Sequence, residues 1–384
     1  MGAYESGEYR NIFAELGYSQ TDIDNKLNGM FQTMFYGSSE ERIYYEFGED
    51  MGYITDTGNN DARTEGMSYG MMMCVQLDKK AEFDRIWKWA KTYMYLDSGN
   101  NAGYFCWSNN LDGSKRAQGA APDGEEFFIM SLLFASKRWG DGEGIFNYSA
   151  EAKKIMKTAV HGNNPMWDPK NKYIKFVAEC DWTDPSYHLP HFYEIYGELS
   201  GEDTEFFKEA AYASREYLKK ACHPVTGMNP EYGKYDGTPM DEPFIAKYFG
   251  SRHDWFYSDA YRTAANIGLD YSWFEADDWE IEITGKLRDF YADKCEFVDG
   301  EPSFNIYEID GKRLEEKVLH PYGLIATNAM SALATRKGSM DQNTIDAVKR
   351  FWELDLRKGN RRYYDNCLQL FAMMALSGNY RIYR

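Results

Sequence analysis

The sequence predicts an all-α protein whose helical pattern is compatible with an α/α toroid, and three observations lead there. Apolar residues recur at helical spacing in segments spread over most of the chain. The segments differ in kind: residues 125–135 and 363–376 are apolar or aromatic nearly all round, whereas 203–221 carries Glu205, Lys208, Glu209, Glu216, Lys219 and Lys220 on one face. An inner ring of buried helices inside an outer ring of amphipathic ones produces that alternation. The connections are rich in Gly, Asp and Asn, as in Asp56-Thr57-Gly58-Asn59-Asn60-Asp61, and no low-complexity linker divides the chain. Residues 1–384 therefore read as a single domain.

The elements follow in order. Residues 64–77 form a Met-rich helix, and 80–95 sets Phe83, Ile86, Trp87 and Ala90 on one face. Similar patterns predict helices over 125–139, 149–160, 186–199, 203–221, 258–268, 273–292, 322–335, 341–355 and 363–376. Ser149, Ser258 and Asp341 stand where N-caps of three of these belong. Gly140, Gly142 and Gly144 lack the preceding strand of a nucleotide-binding turn and read as a loop.

Composition narrows the function. A formal net charge of −18 opposes binding to nucleic acid or an anionic membrane, while a neutral sugar meets no such field. The 31 Tyr, 23 Phe and 10 Trp supply flat faces with polar edges, suited to a groove that is part apolar and part wet. The six cysteines are scattered without a C-x-x-C pair, which fits reduced thiols rather than a disulfide framework or zinc site. No apolar run is long enough to span a bilayer, and the N-terminus lacks a secretory pattern, so a cytoplasmic location is expected.

Three acidic segments are candidates for chemistry. Glu65 begins a mostly apolar helix, with Tyr69 one turn on and Gly66 and Gly70 permitting close approach. A Glu there also complements the helix dipole. Asp123, Glu125 and Glu126 precede another apolar helix, where capping and dipole compensation are the alternative account. Asp259 and Arg262 are spaced three apart on a helix, so the arginine can hold the carboxylate ionised, as a general base requires; a plain salt bridge has the same spacing. His188, His191 and Glu194 could suggest a metal, but Pro190 interrupts them and the H-E-x-x-H pattern is missing. No metal site is expected.

Taken together, these segments resemble glycoside hydrolase family 8. Thr64-Glu65-Gly66-Met67-Ser68-Tyr69-Gly70 resembles the family's S-E-G-x-x-Y-G segment with the catalytic acid. Pro122-Asp123-Gly124-Glu125 resembles its T-D-x-D segment, with Pro122 and Glu125 as departures. Ser258-Asp259-Ala260-Tyr261-Arg262 resembles the segment with the catalytic base. Asp184-Pro185-Ser186-Tyr187 with Tyr193 looks like a further family element. Within the family, Ala102-Gly103-Tyr104-Phe105-Cys106-Trp107-Ser108, Leu319-His320-Pro321 and Gly359-Asn360-Arg361-Arg362-Tyr363-Tyr364-Asp365-Asn366-Cys367 are similar to the reducing-end xylose-releasing exo-oligoxylanases.

The resemblance implies an (α/α)6 barrel of six inner and six outer helices. It implies an inverting glycosidase without a cofactor, acting on β-1,4-xylo-oligosaccharides of three or more units. Glu65 is then the general acid and Asp259, beside Arg262, the general base. Tyr193 helps hold the water, Asp123 binds the sugar at the cleavage point and Trp107 stacks on a sugar face. Tyr363 and Tyr364 belong to the substrate site, and Leu319 and His320 close the groove beyond the first leaving-group sugar. Two rivals stay open on the sequence: an endo-acting family member cutting xylan, β-glucan or chitosan, and a non-catalytic oligosaccharide-binding scaffold.

Overall fold

A computed structural model describes residues 1–384. Twelve helices, alternating outer and inner, make the barrel. They are α1 (Gln20–Tyr36), α2 (Thr64–Gln76), α3 (Lys80–Trp89), α4 (Pro122–Trp139), α5 (Tyr148–His161) and α6 (Pro190–Leu199), followed by α7 (Thr204–Ala221), α8 (Tyr261–Phe274), α9 (Asp278–Tyr291), α10 (Pro321–Met330), α11 (Gln342–Glu353) and α12 (Arg362–Leu376). The even-numbered helices touch one another in turn, α2 to α4 and onward to α12, which returns to α2. Each odd-numbered helix packs on one inner helix, with α1 against α12. This is the (α/α)6 barrel the sequence implied.

Burial explains the two classes. Every residue of α10 and α12 is buried, as is nearly all of α2, because an inner helix is covered on all sides. An outer helix such as α11 buries only Thr344, Ala347, Val348 and Phe351, a single stripe. One core of 90 buried residues runs from Ala3 to Tyr380.

Several predicted boundaries shift. Helix α4 starts at Pro122 rather than 125, with proline at the first turn where its missing N–H is harmless. The 186–199 segment is a short turn, Pro185–Tyr187, then α6 from Pro190. The 273–292 segment begins only at Asp278, because Glu275 in the left-handed region (φ 46°) ends α8 and Asp277 caps α9. Two of the three proposed caps are corrected. Asn147, not Ser149, accepts from Ala150 to cap α5, and Ser258 caps nothing, sitting at φ 41° in a 3-10 turn before α8. Asp341 caps α11 through the Thr344 N–H.

Helix α1 was not predicted, although Ile23, Leu27, Met30, Phe31 and Met34 trace its buried face and Ser19 accepts from Asp22 N–H as its cap. Four antiparallel two-stranded pairs decorate the loops: Tyr44–Phe47 with Met51–Ile54, Ala62–Arg63 with Ser108–Asn109, Glu296–Val298 with Glu301–Ser303, and Asn305–Tyr307 with Arg313–Lys317. The second pair matters for the site. It leads directly into α2, and the Thr64 N–H donates to the Trp107 carbonyl at 3.0 Å, tying the first turn of α2 to the Trp107 loop.

Candidate active site

A cavity of about 1000 Å³ lies at one end of the barrel. Part of its lining comes from the N-terminal end of each inner helix or the few residues before it. These are Glu65 on α2, Asp123 on α4, Tyr187 ahead of α6, Asp259 ahead of α8, His320 ahead of α10, and Tyr363 and Tyr364 on α12. Helix N-termini carry partial positive charge and unpaired N–H groups, so their convergence favours carboxylates there.

One guanidinium organises those carboxylates. Arg262 is buried on the first turn of α8. Its Nη1 donates to Glu65 Oε2 at 2.9 Å, Asp123 Oδ2 at 3.1 Å and Tyr69 Oη at 3.0 Å. Its Nη2 lies 3.5 Å from Asp259 Oδ1 and 3.7 Å from Asp184 Oδ2. The spacing of three residues anticipated the contact with Asp259, but the shorter contacts go to Glu65 and Asp123 on two other helices. Glu65 and Asp259 thus flank one guanidinium, at 2.9 Å from Nη1 and 3.5 Å from Nη2.

Glu65 is held from two sides, by Arg262 and by Tyr363. Tyr363 Oη donates to its Oε1 at 2.7 Å. This contact needs Gly66: a Cβ there would fall 2.7 Å from the Tyr363 ring, so Gly66→Ala is expected to displace Tyr363 and reduce turnover about tenfold or more, read from initial rates. Burial pushes the Glu65 carboxyl up to about 7; Arg262 opposes that, and Asp123 and Asp259 reinforce it. Burial likewise raises Asp123, against Arg262. Asp184, fully buried and hydrogen-bonded at Oδ1 only to the Ser186 N–H, is also raised by burial. The Asp259 side chain is 28% exposed, so water can reach it as a base requires.

The structure places Asp123, Trp107, His320, Tyr363 and Tyr364 on the cavity wall. Trp107 is 39% exposed, with the Arg63 guanidinium 5.3 Å over its ring. Tyr364 Oη donates to the Ser258 carbonyl at 3.1 Å, bracing the turn that carries Asp259. His320 Nδ1 is 3.3 Å from Asp365 Oδ2, and Asp365 also takes the Gly323 N–H at 2.6 Å and pairs with Arg357.

Tyr193 is placed otherwise. It is fully buried, and its hydroxyl donates to Glu126 and to the Tyr187 carbonyl rather than opening on the cavity. The expectation that Tyr193 helps hold the water is thus corrected: of the Asp184–Tyr193 segment, Tyr187 is the tyrosine on the cavity wall, with the Arg262 guanidinium 5.5 Å over its ring. Glu125 also turns away, accepting the Phe105 N–H at 2.7 Å. His188, His191 and Glu194 diverge: the His188 nitrogens meet Thr183 and Ser214, His191 packs on Trp273, and Glu194 pairs with Arg215.

Sequence reasoning missed one wall. Phe176 and Trp182 stack at 4.4 Å and 13°, Tyr232 lies against both, and Phe249 packs behind. All four line the cavity. The richness in aromatics was visible, but these residues come from irregular loops, where no periodicity assigns a direction.

The sequence pattern of glycosyl hydrolases family 8 matches residues 45–378. A reducing end xylose-releasing exo-oligoxylanase of Halalkalibacterium halodurans is 53% identical over 390 residues, covering 100% of this chain and 96% of that protein. The corresponding protein of Paenibacillus barcinonensis, Rex8A, is 50% identical over 100% of this chain and 98% of its own. Its structure, solved with xylose, superimposes with a TM-score of 0.95 over 100% of both chains. An endoglucanase of Ruminiclostridium josui is 26% identical over 84% of the chain. An inner-helix ring that gathers acids around one arginine, a family pattern over most of the sequence, and full-length relatives at about half identity lead to one conclusion: this chain is a member of glycosyl hydrolases family 8.

Proposed function

We propose that this protein is an inverting glycosidase that releases xylose from the reducing end of β-1,4-xylo-oligosaccharides of three or more units. The observation that carries the chemistry is the pair of carboxyls on either side of Arg262, one largely shielded and raised toward neutrality, the other more open to water. Glu65 protonates the departing glycosidic oxygen. Asp259 takes a proton from the water attacking the opposite face of the sugar. Asp123, fixed by the Gly124 N–H and Arg262, binds the sugar at the cleavage point. Trp107 offers a ring face to a bound sugar, and Tyr363 keeps the Glu65 carboxyl aimed. No step calls for a metal or organic cofactor.

The full-length relatives named for reducing-end release support the exo reading, and so does the seating of His320. Pro321 at the first turn of α10 fixes the backbone beside it, and Asp365 holds its ring. With Nδ1–H toward Asp365, Nε2 is left to accept a hydroxyl of the last sugar. Six unpaired cysteines, four of them buried, suit a reducing compartment, and we place the protein in the cytoplasm as one catalytic domain over residues 1–384. No helix is long and apolar enough to cross a membrane.

Xylotriose labelled at its reducing end tests the reading. Label in free xylose, with the new xylobiose end first appearing as the α anomer, is the expected result. Label only in xylobiose, an initial β anomer, or rapid viscosity loss with polymeric xylan would overturn it. The wall has its own test: Leu319→Ala with His320→Ser is expected to let xylopentaose yield xylobiose from its reducing end, read by product chromatography.

The raised Glu65 carboxyl sets a pH dependence. Activity is expected to fall as pH rises through about 7, where the acid loses its proton. Stability follows the same group. In the unfolded chain Glu65 ionises near its ordinary value, whereas the folded state keeps the proton to about 7. Folding therefore takes up a proton between those pH values, and stability falls there as pH rises. Glu65→Gln removes that loss, so the variant is expected to be more stable at pH 8 by on the order of 1–2 kcal/mol, with the difference vanishing near pH 4, read by denaturant midpoints.

A further inference from the structure

Glu126 and Tyr193 form a buried pair that the proposed chemistry does not use. Both are fully buried, Glu126 near the start of α4 and Tyr193 near the start of α6. The Tyr193 hydroxyl meets two oxygens, Glu126 Oε1 and the Tyr187 carbonyl, the latter at 3.1 Å. A second hydroxyl, Tyr196 Oη, donates to the Glu126 backbone carbonyl, so α4 and α6 are tied together at this one residue.

A phenol has one hydrogen. Drawn as donations, both Tyr193 contacts would share it, and a shared hydrogen serves neither acceptor at good geometry. A carbonyl cannot supply the missing hydrogen, but a carboxyl can. The surroundings of Glu126 favour that form. Its Oε2 is buried without a partner, which costs an anion far more than a neutral acid. Arg262 gives its own contacts to Glu65, Asp123, Asp184 and Asp259 instead. Burial, reinforced by Asp123 and Asp184, raises the Glu126 carboxyl well above the usual range, against Tyr193 and Arg262.

The Tyr193 hydroxyl holds the end of the Asp184–Tyr187 turn. Asp184 caps that turn through the Ser186 N–H at 2.7 Å, and Asn266 Nδ2 donates to the Ser186 carbonyl at 2.9 Å. Tyr187 closes it on the cavity wall, its ring under the Arg262 guanidinium and nearly parallel to that of Phe176 (5.9 Å, 11°). The Tyr187 ring thus flanks the guanidinium that gathers Glu65 and Asp259.

We propose that Glu126 bears a proton and is a positioning residue: it donates to Tyr193, Tyr193 donates to the Tyr187 carbonyl, and this relay fixes Tyr187 against Arg262. The kinetic consequence rests on Glu65 and Asp259 being the acid and base; the proton on Glu126 does not.

The test compares Tyr193→Phe, Glu126→Met, the double variant and Glu126→Gln on xylotriose in the full-length protein. Tyr193→Phe and Glu126→Met are each expected to lower kcat by about tenfold, with KM changed less than about threefold, because Arg262 loses its fixed neighbour while sugar contacts survive. The double variant is expected to lie within about twofold of either single one, since both break the same relay. Glu126→Gln keeps an N–H to donate to Tyr193 and is expected to stay within about twofold of the unchanged protein. An infrared difference spectrum at pH 9 is expected to show one protonated carboxyl lost in Glu126→Gln. Full activity in Glu126→Met beside a slow Tyr193→Phe overturns the relay, as does a double variant whose loss is the product of the single ones. Glu126→Gln as slow as Glu126→Met, or no carboxyl band lost, overturns the proton. If Glu126→Met does not fold, Glu126→Gln and its spectrum decide. Xylotriose left intact by the unchanged protein would instead sink the proposed function, and the carboxyl band would still decide the proton.

Discussion

Glu65→Gln and Asp259→Asn are each expected to lower kcat on xylotriose by about 10²–10⁴-fold, with KM changed only a few-fold. The reason is that proton transfer in the transition state is what each group supplies, while sugar binding rests on other residues. The two variants are separable by leaving group. Fluoride departs from β-xylobiosyl fluoride without needing a proton, so that substrate is expected to restore much of the rate to Glu65→Gln. It still needs an activated water, so Asp259→Asn stays slow. Near-normal turnover of xylotriose by either variant, or equal rescue of both, would refute the division of roles. Since Glu65→Gln is also expected to gain stability above pH 7, loss of activity in that variant cannot be ascribed to unfolding.

Arg262→Met is expected to lose more than about 10²-fold in kcat and also about 3–5 kcal/mol of stability near neutral pH. The guanidinium is buried and faces Glu65, Asp123, Asp184 and Asp259, so its removal leaves clustered carboxylates without a counter-charge. They respond by holding protons: Arg262 now pulls Glu65, Asp123 and Asp184 down, and without it all three rise further. A folded state that keeps protons which the unfolded chain releases loses stability as pH rises. The deficit of the variant is therefore expected to be larger at pH 8 than at pH 5, as thermal unfolding at the two pH values would show. A pH-independent deficit would mean that Arg262 contributes packing rather than charge. Arg262→Lys restores the charge but not the fork, and one ammonium cannot repeat the contacts of Nη1 and Nη2. It is expected to regain stability more than activity.

The long, strongly patterned helices were legible because burial writes itself into sequence. Helices α2, α4, α7, α11 and α12 fall within a few residues of their predicted places. What failed was local and has local causes. Ser149 stands two residues past the true cap, because it is Asn147 that accepts from the Ala150 N–H. Ser258 has the residue type of a cap, but its backbone is turned into the left-handed region. Tyr193 carries the family spacing, yet its hydroxyl is consumed by Glu126, a carboxylate that sequence alone could only read as a helix-end acid.

The sequence by itself determined the two rings of helices, the barrel they form, and the segments around Glu65, Asp123 and Asp259. These are properties of periodicity, of residue type at helix ends and of ordered family segments. Only the tertiary structure decided how those segments meet. Arg262 reaches carboxylates 3 to 197 residues away in the chain, and Tyr363 reaches Glu65 across 298. Such distances leave no trace in local spacing, because closing the ring of inner helices is what brings their N-termini together. The same closure supplies the burial that raises the Glu65 carboxyl.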